Sequence, residues 1–146
     1  MKVKYPTALI CAFLWIGFIS AISFMEAWLK FRAPGITIPL GLGIGRLVFS
    51  ALNKVEWVLA LAILINLFLF GSKLWNREIA LLYLTVFLLI LQTFWLLPLL
   101  DARAELHIQN QTVSPSNLHF YYVGMEVVKV VCLSIFGFSL FKSNTI

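Results

Sequence analysis

Glu126 and Lys129 stand three residues apart within an otherwise apolar stretch, and Glu26 and Lys30 stand four apart at the end of another. Arg46, Asn53 and Glu56 follow at offsets of seven and three. On a helix each of these sets falls along one side, where acid and base can meet. Ionisable groups are costly inside a bilayer, so each calls for a partner. Glu26, Glu56 and Glu126 can neutralise Lys30, Arg46 and Lys129 across a bundle, with Tyr122 one turn before Glu126. Such a set can bind an anionic or zwitterionic headgroup, relay a proton or polarise a substrate. The plainer use of the same residues is to lock helices together, and Lys30 and Lys54 can also snorkel toward the headgroups.

Other residues promise less chemistry. Asp101, Glu105, His107 and His119 match no ligand spacing, so no metal is expected. The run Gly41-Leu42-Gly43-Ile44-Gly45 lacks the spacing of a phosphate loop; its GxxxG pattern suits close helix packing, as do Gly17 and Ala21 four apart. Cys11 and Cys132 both lie in apolar stretches and read as packing residues rather than a disulfide or redox pair. Asn110-Gln111-Thr112 fits the glycosylation sequon, which matters only if that segment is lumenal in a eukaryote.

The elements that must hold these residues follow from composition. Only 12% of the 146 residues are charged and 62% are hydrophobic, against about a quarter charged in a soluble domain. That excludes a water-soluble monomer. The formal charge of +5 does not point to nucleic acid, because the 11 Lys and Arg are scattered between apolar blocks rather than gathered in a stripe. Lipid headgroups are the partners expected for them. The fold class expected is all-α, an integral membrane four-helix bundle in one domain over 1–146, with spans at about 6–28, 39–70, 79–100 and 120–141.

The first span reads as retained rather than as a cleaved signal, since it runs into Glu26-Ala27-Trp28-Leu29-Lys30 with no small-residue cleavage site. Residues 36–54 read either as part of a long, tilted second span or as an interfacial helix. Pro39 suits a first helical turn, and Pro98 favours an end to the third span. The turn Gly71–Glu78 offers Trp75 to the interface, and 101–117 reads as a polar connection, a lid over the charged set. No internal repeat supports an inverted-repeat transporter within one chain. Because the chain reverses at each crossing, the charged residues gather toward the face opposite the termini. Lys2, Lys4, Lys73, Arg77 and Lys142 on the terminal side stand against Lys30, Arg32 and Arg103 on the other, joined by Arg46 and Lys54 if the second span starts late; the balance favours a multi-pass protein of the cell membrane with both termini in the cytoplasm.

Two families are resembled. The basic connection with Phe31-Arg32, the entry Gly45-Arg46-Leu47-Val48-Phe49, the Trp95 to Pro98 stretch and Phe120-Tyr121-Tyr122 resemble the transmembrane-protein-205-like family. That resemblance covers most of the chain and implies a four-helix membrane fold. Arg46, Asn53 and Glu56 also resemble the Arg-x6-Asn-x2-Glu pattern opening the second helix of the MAPEG family, trimeric membrane enzymes of eicosanoid and glutathione metabolism. It implies that these three residues bind glutathione at subunit interfaces.

No reaction is named outright by these residues. The expectation is a protein that binds a lipid or small polar ligand through Glu26, Arg46, Asn53, Glu56, Tyr122, Glu126 and Lys129, or that serves as a homo-oligomer or a subunit of a larger membrane complex, with no cofactor. A MAPEG-like enzyme using glutathione is the alternative, and an oligomeric proton-coupled carrier a further one.

Overall fold

The computed structural model describes residues 2–70 and 77–142. Four helices long and apolar enough to cross a membrane make up almost all of it: α1 (Pro6–Arg32), α2 (Ile38–Leu69), α3 (Ile79–Ile108) and α4 (Leu118–Ser139). The fold is an all-α four-helix bundle. Its composition is that of a multi-pass membrane protein, with large apolar side chains such as Leu47, Phe68 and Phe94 facing outward. The α4 helix, at about 33 Å, matches one hydrocarbon thickness. The two ends of the chain meet on one face: β1 (Lys2–Val3) pairs antiparallel with β2 (Phe141–Lys142), and the Lys4 amide donates to the Leu140 carbonyl at 3.0 Å. We call the half of the bundle on that side the inner half.

Residues 36–54 resolve in favour of one continuous helix. Thr37 caps it by accepting the Leu40 amide at 3.4 Å, and Pro39 sits in its first turn, where a missing N–H costs nothing. The connection from α1 turns through Gly35 at φ 82°, a left-handed conformation open to glycine.

Three boundaries differ from expectation. The first helix continues to Arg32 through a final tight turn, Lys30–Arg32. The third does not end at Pro98 but runs to Ile108. A π-helical stretch, Gln92–Leu96, widens the helix just before Pro98 and absorbs the proline's missing N–H. Past it, Asp101 and Glu105, one turn apart, both reach Arg46 on α2 and hold the added turns against the bundle. The helix closes at Asn110, left-handed at φ 55°, with Gln111 N–H bonded to the Leu106 carbonyl and Asn110 N–H to that of His107. The polar connection is therefore only 109–117. The expected turn at 71–76, with Trp75, lies outside the described residues.

Gly17 and Ala21 are exposed, and a Cβ at Gly17 would meet nothing within 4 Å, contrary to the close approach expected there. They fall on the outward side of α1, opposite Ala8, Ala12, Trp15 and Ile19, which are buried. Gly41 and Gly45 do serve close packing. A side chain at Gly41 would overlap the Phe31 ring, and a Cβ at Gly45 would lie 3.1 Å from Lys30 Nζ.

Candidate functional site

A buried charged cluster lies at mid-height of the bundle. Glu56 of α2 is fully enclosed and its Oε1 accepts two bonds: from Trp15 Nε1 of α1 at 2.7 Å, and from Lys129 Nζ of α4. Lys129 also lies 3.2 Å from Glu126 Oε1, one turn earlier on its own helix. Gln92 of α3 donates to that same Glu126 oxygen at 3.0 Å. All four helices thus converge on two carboxyls and one ammonium, with Glu56, Gln92, Glu126 and Lys129 each 0% exposed. Lys129 is the twelfth residue of α4, about 16 Å along it, near the level of a bilayer midplane.

The cluster is not saturated. Glu56 Oε2, Glu126 Oε2, Gln92 Oε1, Tyr122 Oη and Ser23 Oγ are buried and make no hydrogen bond among the described residues. The Tyr122 hydroxyl faces Glu126 and Ser23 without bonding either. Ser23 comes from a π-helical stretch of α1, Ser20–Glu26, and Gln92 opens the one in α3. Both widened turns place a polar side chain in the same centre. Such turns are often found at functional sites.

Toward the face opposite the termini the helices part around a cavity of about 720 Å³. Its walls include Phe31 of α1, Gly45 and Phe49 of α2, and Leu97 and Ala104 of α3; Asn53 and Tyr122 also line it, on the side of the buried cluster. Glu56 and Glu126 are not among its lining residues. Tyr122 is 2% exposed, packs edge-on against Phe49 with ring centres 5.2 Å apart, and stands between cavity and acids. Asn53 is tied to α3 by its amide, 2.9 Å from Thr93 Oγ1, to which Trp57 also donates at 3.0 Å.

At the rim, charge is internally matched. Lys30 pairs with Glu26 at 3.2 Å and lies over the Phe31 and Phe49 rings. Arg46 grips Asp101 through Nε and Nη2, the latter at 3.0 Å, and Glu105 through Nη1. Lys54 and His119 line the cavity and are exposed.

The seven expected site residues therefore divide. Glu56, Glu126, Lys129 and Tyr122 form the buried centre; Asn53 adjoins it from the cavity; Arg46 and Glu26 belong to the rim. Expectation had joined Arg46 to the other acids and bases, but ten residues, about 15 Å of helix, separate it from Glu56. Asp101 and Glu105 thus serve as ion-pair partners of Arg46, and no group of three or more His, Cys, Asp or Glu is assembled for a metal among the described residues. Trp15, Ser23, Gln92 and Thr93 were missed. Gln92 could have been found, being the one amide in the apolar third span, 79–100. Nothing in the sequence marked Trp15 or Ser23.

No protein-family model, characterised protein or solved structure matches the chain.

Proposed function

We propose that this protein is a membrane-embedded binding protein for an amphipathic ligand, a lipid or a lipid-like small molecule, held in the cavity opposite the termini. The observation that carries this reading is the cavity itself: apolar side chains wall it, matched ion pairs rim it, and Ser50, Asn53 and Lys54 put polar groups in its lining. A chamber with a few convergent polar groups in an apolar lining suits a ligand with one polar end. Membrane lipids are its first candidates.

Two observations favour binding over the alternatives. For glutathione chemistry at a subunit interface, Arg46, Asn53 and Glu56 should be accessible together, yet Glu56 is fully enclosed within its own chain, does not line the cavity and lies about 15 Å of helix from Arg46. For a carrier, the site should open to both faces, yet on the inner side it is backed by Ala8, Ala12, Ile63, Leu67, Leu133 and Phe136, all buried and apolar. Subunits of a larger assembly could still use the outward apolar faces, which suit lipid and protein alike.

A photoreactive amphiphile diffused into membranes containing the protein tests the reading. Crosslinks should concentrate at Phe49, Ser50 and Leu97, and an excess of unlabelled membrane lipid should suppress them. Labelling spread evenly over outward-facing residues such as Phe68 and Phe87 would contradict it. We further assign both termini to the cytoplasm from the balance of Lys and Arg, so the cavity opens toward the opposite leaflet. Single cysteines at Asn117 and Ser143 should be labelled by an impermeant reagent from outside and from the cytoplasm, respectively; the reverse pattern overturns the orientation.

A further inference from the structure

We propose that the buried cluster behind Tyr122 is a binding site for a small monovalent cation, sodium by class. This goes beyond the amphiphile reading and stands without it. Every unpartnered atom in the cluster is an oxygen: two carboxylate oxygens, one amide oxygen and two hydroxyls. Hard cations take such oxygen sets, whereas an anion or a soft metal does not. The charge agrees. Two carboxylates and one ammonium leave one negative charge in a region where an isolated charge is costly, so a single positive charge closes the balance.

A divalent ion would overshoot that balance and leave the centre positive. Lys129 already occupies the Oε1 side of both acids, which leaves their Oε2 atoms open. The widened turns of α1 and α3 supply Ser23 and Gln92, much as unwound helix segments of membrane carriers hold coupling ions. Tyr122 lines the cavity and turns its hydroxyl to the acids, so an ion arrives from the cavity past that ring.

The test is a thermal unfolding series of the full chain in detergent at constant ionic strength, with sodium chloride exchanged for potassium or choline chloride at several pH values. Sodium should raise the midpoint saturably, by about 4 °C at ten times its half-saturating concentration. Potassium and choline should shift it far less. Ser23→Ala removes a ligand that makes no other hydrogen bond, so the variant should fold as before and need several-fold more sodium for the same shift. Midpoints equal in all three salts would overturn the proposal. So would a midpoint that follows pH alone with no effect of sodium at any pH, since a proton would then be the occupant.

Discussion

In the inner half of the bundle, Ala8 and Ala12 of α1 belong with Ile63 and Leu67 of α2, Leu82 of α3, and Leu133 and Phe136 of α4 to one apolar cluster. In the outer half the same four helices enclose a cavity, ion pairs and five unpartnered oxygens. Helix geometry differs in step. Both π-helical stretches, Ser20–Glu26 and Gln92–Leu96, belong to the outer half, whereas the inner stretches of α1 and α3, 6–19 and 79–91, are regular α-helix. Packing alone is served best by regular helices and small residues. Both widened turns and five of the buried unpartnered oxygens fall in the outer half, against the single amide oxygen of Asn66 in the inner one; under the binding reading proposed above, the outer half gives up packing to receive a ligand.

The sharpest way to break this contrast is at its boundary. Lys129→Met leaves two buried carboxyls without their shared ammonium and should lower stability by about 3–5 kcal/mol in detergent unfolding. Adding Glu56→Gln and Glu126→Gln should recover most of that loss. A triple variant as weak as the single one would mean that charge is not what couples the cluster. Next comes the inner half: Phe136→Ala should cost about 3 kcal/mol by emptying a packed site, while ligand retention in the outer cavity stays unchanged. Loss of ligand in that variant would show that the halves are not separable. The smallest effect is expected at the rim. Arg46→Ala breaks half-exposed ion pairs and should cost less than about 1 kcal/mol, yet amide exchange over 101–108 should quicken because Arg46 no longer holds those turns to α2. Unchanged exchange there would remove Arg46 from the account of why α3 outlasts Pro98.

The contrast between halves was partly written in the sequence. Apolar run lengths define four helices, and chain reversal puts Glu26, Glu56, Glu126 and Lys129 at or above mid-height because their distance from the helix ends is countable. The pairing of Glu126 with Lys129 follows from one helical turn, and Gly41 and Gly45 from the need for close approach. The partners of Arg46 do not follow, because Asp101 and Glu105 lie 55 and 59 residues away and only the helix past Pro98 brings them near. Pro98 read as a stop because its cost in a regular helix is real; a π-helical turn removes that cost, and no local pattern announces one. Ser23 and Trp15 were invisible for a related reason, since small hydroxyls and indoles are ordinary in a membrane span until a neighbour's acid is known.

Native mass spectrometry of the protein extracted gently from its membrane, wild type beside Ala104→Trp, tests the central claim most directly. Ala104 lines the cavity away from the buried acids, so the larger side chain should fill the chamber and leave the charged cluster intact. The wild type should retain a bound amphiphile and the variant should lose it while unfolding at nearly the same temperature. The same complement of amphiphile on both proteins would contradict the claim that the outer half exists to hold one.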